Sequence, residues 1–262
     1  MEKRIIVTVA VGENGQKWAD YSHPLMRRYA EQCGADFFVL SGHNLKDMWP
    51  GFSKLLLGSQ LKVYDRMLYL DSDILVSPTA PNLFDFVPPD SLGATVIDSL
   101  PPEVAPAVKN GWISNDIKKS QKEFGDIQWS SEYFNSGAML FCKEHLGIFE
   151  SALSVAKHWF DISTDRSLSE FRVFADQTLF NYFAKARNAK VFDIGYKYNH
   201  TPAFNAFGHR YHSNFYHYVR LRPHRRGDRL RQMKIDSWIL KNRKLHDFLV
   251  NNMSITRVVD KL

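Results

Sequence analysis

A chain of 262 residues with 44% hydrophobic content can bury the core of one large domain, or of one domain with a small appendage. No apolar run approaches the roughly 20 residues of a membrane-spanning helix, and two cysteines, Cys33 and Cys142, are too few for a disulfide framework or a thiolate zinc site. The formal net charge of +6 is unevenly spread. Ten Lys or Arg fall between His217 and Lys244 against Asp228 and Asp236 alone, which reads either as a solvated face or as a seat for phosphates, an anionic membrane or nucleic acid.

The run RIIVTVAV, Arg4 to Val11, reads as a first strand. It is too short for the apolar region of a signal peptide, and with so few cysteines it points to a cytoplasmic setting. A loop follows at Gly12 to Gly15, then a helix over Ser22 to Gly34 with Leu25, Met26, Tyr29 and Ala30 at helical spacing. ADFFVL is a second strand, Ser53 to Tyr64 a helix, and RMLYLDSDILV a strand interrupted by Asp71 and Asp73. LGATVI is another strand, followed by the proline-rich loop DSLPPEVAP. YFNSGAMLF is apolar apart from Asn135, Ser136 and Gly137, and helical patterns cover Leu146 to Phe160 and Asp176 to Lys185. AKVFDI and NFYHYV are late strands, and a final helix over Lys234 to Val250 has Ile235, Trp238, Ile239, Leu245, Phe248 and Leu249 on its apolar side. Strands alternating with helices predict an α/β sheet between helices, with ligands gathering at the carboxyl ends of strands, where Asp71 and Asp73 fall.

Burying two carboxylates among aliphatic residues costs several kcal/mol unless something positive meets them. Residues i and i+2 of a strand share a face, so both aspartates can turn to one Mg²⁺ or Mn²⁺. A strand-end turn, with the carboxylates and Ser72 capping backbone amides, accounts for the same pattern.

Beyond that spacing, the run FSKLLLGSQLKVYDRMLYLDSDILV, Phe52 to Val76, resembles glycosyltransferase family eight, which includes glycogenin and bacterial lipopolysaccharide galactosyltransferases. SEYFNSGAMLF, ADQTLFN and FYHYV resemble three further segments of that family in its order, and the resemblance spans about residues 1 to 224. It implies a GT-A fold, a Rossmann-like mixed central sheet flanked by helices on both faces. It also implies a nucleotide-sugar-binding catalytic domain over residues 1–224, with 225–262 a basic helical extension packed on the same domain. By resemblance, Asp71, Asp73 and His217 become ligands of Mn²⁺ or Mg²⁺, with Asp71 and Ser72 also on the donor side. Lys54 faces the donor sugar and diphosphate, and Val9, Ala10 and Val11 meet base and ribose through backbone groups. Asn135 and Asp176 line sugar and acceptor, Gln177 lies beneath the anomeric carbon, and Asp98 is an acceptor-side carboxylate. Tyr21 is a further candidate for stacking on the base.

Bland readings stand beside these. Lys54 fits a helix-start surface lysine, Asn135 a turn residue and Asp176 a helix N-cap. His200, His209 and His212 compete with His217. The sequence also departs from the family after His217, where HYVRLRPH has Arg220 in place of a glycine and Arg222-Pro223-His224 in place of Lys-Pro-Trp. Arginine binds phosphate oxygens bidentately, so Arg220 and Arg222 are candidate diphosphate contacts. Arg225, Arg226, Arg229 and Arg231 are expected to have left the site and, with the final helix, to be available to an anionic membrane.

The resulting expectation is a metal-dependent transfer of sugar, UDP-linked by preference, to an acceptor hydroxyl of a glycan, glycolipid or protein, with retention of anomeric configuration. The rival is a non-catalytic nucleotide-sugar or glycan-binding protein of the same fold. Nucleic acid is not an expected partner, because no zinc, helix-turn-helix or ribonucleoprotein motif is present.

Overall fold

The computed structural model describes residues 2–42, 45, 47–101, 105–129, 131–164, 175–219, 229–252 and 255. Among the described residues eight strands form: β1 (Arg4–Ala10), β2 (Asp36–Ser41), β3 (Arg66–Leu70), β4 (Ile74–Val76), β5 (Leu92–Val96), β6 (Phe134–Cys142), β7 (Val191–Asp193) and β8 (Phe215–His217). Six of them make the central sheet in the order β2-β1-β3-β6-β5-β7. β6 alone runs antiparallel to its neighbours β3 and β5; the other pairings are parallel. β4 and β8 form a separate antiparallel pair.

The helices are α1 (Gly12–Cys33), α2 (Leu83–Phe86), α3 (Pro106–Lys109), α4 (Trp112–Phe124), α5 (Leu146–Thr164), α6 (Ala175–Ala186), α7 (Arg229–Lys241) and α8 (Arg243–Asn251). Strand alternation divides the core between the two faces of the sheet. Leu68 and Leu70 join Leu25, Met26 and Tyr29 of α1 and Ile239 and Leu240 of α7. Met67 and Tyr69 join Phe52, Phe149, Trp159 and Phe180 on the other side. A sheet covered on both faces explains why β1 and β3 read as nearly continuous apolar runs. The fold is the mixed α/β sheet, flanked by helices on both faces, that the sequence predicts.

Several elements differ from the sequence reading. α1 starts at Gly12, with no intervening loop, because Gly12 takes φ +74° and turns the chain straight from β1 into the helix. The segment Pro50–Lys62 is a 3-10 helix, not the expected helix over Ser53 to Tyr64. Phe52, Leu55, Gly58 and Leu61 recur every third residue and all are buried, which matches three residues per turn. The final helix is two helices. Asn242 ends the first run and caps α8, its side chain accepting a hydrogen bond from the Leu245 amide. Trp238 on the first and Phe248 on the second, both expected on the apolar side, are 64% and 49% exposed.

The aspartates do not sit in a continuous strand. β3 ends at Leu70 and β4 begins at Ile74, so Asp71 and Asp73 occupy the turn by which the chain leaves the central sheet for the small one. Their shared direction comes from that turn, closed by the Ile74 amide on the Asp71 carbonyl at 3.0 Å, and not from strand alternation. Arg220, Arg222, Arg225 and Arg226 lie outside the described residues.

Candidate active site

The turn is fixed from two directions. The Asp71 amide donates to the Gly137 carbonyl of β6 at 2.8 Å, and the Tyr218 amide donates to the Asp73 carbonyl at 3.0 Å. The β4–β8 ladder sets Ile74 opposite His217, which brings the imidazole alongside both aspartates. His217 Nε2 lies 3.5 Å from Asp71 Oδ2 and 3.4 Å from Asp73 Oδ1. One ligand atom from each of the three residues lies within 4.8 Å of the others, a group able to hold a metal ion. Of the histidines in this stretch, His200 is instead tied through Nδ1 to Ser213 Oγ, and His209 accepts from the Tyr211 amide.

The surroundings prepare these three atoms. Asn199 Oδ1 sits 2.7 Å from His217 Nδ1 while Asn199 Nδ2 donates to Asn135 Oδ1 at 2.7 Å. With its proton on Nδ1, the imidazole presents the Nε2 lone pair to the carboxylates, as a metal-binding histidine does. Gly137 makes room, since a Cβ there would run into the His217 ring. Each aspartate has its other oxygen held by protein. Asp71 Oδ1 takes Lys54 Nζ at 3.1 Å and the Tyr69 hydroxyl, and Asp73 Oδ2 takes Arg229 Nη1 at 2.8 Å. What remains facing the common point is two carboxylate oxygens and one imidazole nitrogen, a donor set that suits Mg²⁺ or Mn²⁺.

Charge is balanced unequally across the pair. Burial pushes the Asp71 carboxyl above its ordinary value against the pull of Lys54 and His217. At Asp73 burial acts in the same direction, but His217 and Arg229 outweigh it and the carboxyl falls below its ordinary value. Lys54 is buried between Asp71 and Asp176, 2.8 Å from Asp176 Oδ2. Burial opposes its charge, yet the two carboxylates prevail and raise its pKa. Ser136 Oγ also donates to Asp176 Oδ2, at 3.2 Å, and Gln177 Oε1 accepts from Asn135 Nδ2 at 3.1 Å and the Ser136 amide at 3.2 Å.

Lys54, Asp71, Asp73, Asn135, Asp176, Gln177 and His217 thus form one connected set drawn from five segments of the chain. Ser72 is buried between the aspartates, and Val9, Ala10 and Val11 are buried at the carboxyl end of β1. Asp98 follows β5, its Oδ1 buried without a hydrogen-bond partner among the described residues. Tyr21 is partly buried against the α1 side of the core. Arg229 was expected to have left the site and has not. Its guanidinium pairs with Asp73 and lies over the Trp18 ring, 4.5 Å from the centroid. Arg229, Trp18, Asn199 and Tyr69 are the site residues that sequence reasoning misses. A pairing between residues 156 apart leaves no periodic trace.

A mixed sheet covered by helices on both faces, carrying a paired-carboxylate turn beyond the end of a central strand, is the arrangement of a GT-A glycosyltransferase. The profile described as "Glycosyl transferase family 8" matches residues 47–221, and the chain belongs to that family of glycosyltransferases. Curated proteins give no match to the chain. Among solved structures it is similar to galactosyltransferase LgtC in complex with donor and acceptor sugar analogues, at TM-score 0.59 and 16% identity over 89% of this chain and 95% of that one. It is similar also to a glycosyltransferase involved in glycosylation of the major capsid of PBCV-1, at TM-score 0.55 and 14% identity over 89% and 99%. The bifunctional glycosyltransferase WbbM matches at TM-score 0.56 and 15% identity over 84% of this chain and 46% of that one. At these identities the similarity speaks to the fold.

Proposed function

We propose that this glycosyltransferase moves a sugar from a UDP-sugar to an acceptor hydroxyl, with retention of anomeric configuration and with Mn²⁺ or Mg²⁺ at Asp71, Asp73 and His217. The observation that carries the reading is the convergence of Asp71 Oδ2, Asp73 Oδ1 and His217 Nε2 while each carboxylate's second oxygen is held by a protein cation. A divalent ion bound there would neutralise charge building on the departing diphosphate.

The chain's own groups supply the rest. Lys54 is a fixed positive charge at the inner edge of the site, and Arg220 and Arg222 are proposed contacts to the diphosphate. Gln177 carries no strong nucleophile, and its carbonyl oxygen already accepts from Asn135 and Ser136, which holds the amide as a floor beneath the sugar. Asp176 is occupied by Lys54 and Ser136, so it serves to position Lys54. With an amide and not a nucleophile at Gln177, the acceptor hydroxyl adds to the anomeric carbon on the face that the diphosphate leaves. The carbon–oxygen bond to phosphate breaks, and the hydroxyl proton passes to the departing phosphate oxygen. Asp98, whose buried Oδ1 has no hydrogen-bond partner among the described residues, is suited to receive an acceptor hydroxyl.

We also propose peripheral contact with anionic membrane. Arg231, Lys234, Trp238 and Lys241 share one exposed face of α7, and Arg243, Lys244 and Phe248 on α8 are exposed too. No helix among the described residues is long and apolar enough to cross a membrane. Incubation with a panel of nucleotide sugars, followed by anomeric proton couplings of the product, tests the principal reading. It expects turnover of a UDP-sugar with the donor's configuration kept; an inverted product would require a carboxylate base and would refute the same-face route.

A further inference from the structure

The family match ends at residue 221, yet α7, which starts at Arg229, reaches into the candidate active site. Its placement is built. Asp236, fully buried on α7, accepts from Arg210 Nε at 2.8 Å and Nη2 at 2.9 Å, and from the hydroxyls of Tyr211 and Tyr218. Tyr218 is the neighbour of His217 and its amide holds the Asp73 carbonyl, so the network that anchors α7 also anchors the two ligand-bearing segments. From the first turn of this anchored helix, Arg229 puts Nη1 2.8 Å from Asp73 Oδ2 and rests its guanidinium on Trp18. Trp18 lies in the first two turns of α1, directly after the end of β1. The stack fixes the plane of the fork, and the side chain keeps 22% exposure.

We infer that Arg229 is a second cation of the donor site, supplied by the carboxyl-terminal extension, which shares Asp73 with the metal and binds the donor's diphosphate. The inference rests on the donor site proposed above. A guanidinium has five N–H donors in a planar fork matched to phosphate oxygens, and Asp73 engages Nη1 alone among them. Placed on the outer oxygen of Asp73, its charge opposes a divalent ion on the inner oxygen and attracts a diphosphate drawn to the same place. Arg229 therefore acts with opposite sign on the two ligands. It weakens binding of the metal alone and strengthens binding of the nucleotide, which biases the site toward taking them together. A brace that merely supported the fold would act on both ligands in the same direction.

The test uses the full chain and two probes measured separately by calorimetry: Mn²⁺ alone, and UDP in excess chelator. Arg229→Gln is expected to bind UDP about tenfold more weakly, the loss of one charge-assisted contact, while binding Mn²⁺ more tightly than the wild type. Arg229→Lys, which keeps the charge and loses the fork, is expected to return Mn²⁺ affinity toward the wild-type value and leave UDP binding impaired. If Arg229→Gln weakens both ligands, or changes neither, Arg229 is a structural brace and the inference is wrong while the metal reading stands. If the wild type binds neither Mn²⁺ nor UDP, the proposed donor site fails and this inference with it.

Discussion

Lys54 illustrates how much of the site depends on charge held out of water. Its side chain is 5% exposed, lies between two carboxylates and sits 4.9 Å from the centre of the Tyr69 ring. Removing one member of such a group leaves uncompensated charge behind, and losses of about 3–5 kcal/mol are usual. Lys54→Met is expected to lower stability by about that amount in urea unfolding at neutral pH. Lys54→Met combined with Asp176→Asn is expected to recover part of the loss, because the abandoned carboxylate is gone. A double variant no more stable than the single one would show that the cost lies in packing and not in charge. The residues of this cluster differ in how visible they are beforehand. Asp71, Asp73, Asn135, Asp176, Gln177 and His217 stand in short strings whose resemblance to a family is readable. Arg229, Trp18 and Asn199 act through pairings made only by the tertiary fold, and no local string announces them.

Elements were legible where periodicity met burial, and less so where a single residue redirected the chain. β1, β3 and β6 announce themselves as apolar runs because both faces of the sheet are covered. The abrupt strand-to-helix turn at Gly12 and the break at Asn242 each depend on one residue's backbone or capping preference, which a pattern averaged over many residues passes over. The junction between β6 and α5 adds a pH response of its own. His145, buried there, accepts the Cys142 amide proton on Nδ1 at 3.0 Å. Burial depresses its pKa from 6.5 to about 4, with Glu144 pulling the other way. The unfolded chain therefore binds a proton that the folded one resists. The neutral ring's stabilising effect is complete above pH 6.5 and is lost as pH falls through about 4. The loss over that window is on the order of 3 kcal/mol. His145→Asn, whose amide oxygen can take the same backbone proton, is expected to flatten the decline between pH 6.5 and 4 in denaturant-midpoint measurements. An unchanged slope would place the acid sensitivity elsewhere.

At the scale of the whole molecule, α7 presents two different faces. Its inner side brings Arg229 against Asp73, while its exposed side carries Arg231, Lys234, Trp238 and Lys241. Neutralising Arg231, Lys234, Lys241 and Lys244 together is expected to reduce sedimentation with phosphatidylserine vesicles, at about 1 kcal/mol per charge near the surface, and to leave UDP affinity unchanged. Wild-type protein that ignores such vesicles would assign this face to solvent. The central claim, however, is that this member of Glycosyl transferase family 8 works through a divalent ion held by Asp71, Asp73 and His217. The most direct measurement is release of UDP from a UDP-sugar by the wild type and Asp73→Ala, in excess chelator and after Mn²⁺ is restored. The structure predicts that chelator silences the wild type, that Mn²⁺ revives it, and that folded Asp73→Ala stays inactive in both conditions; full turnover of the wild type in excess chelator would contradict the account.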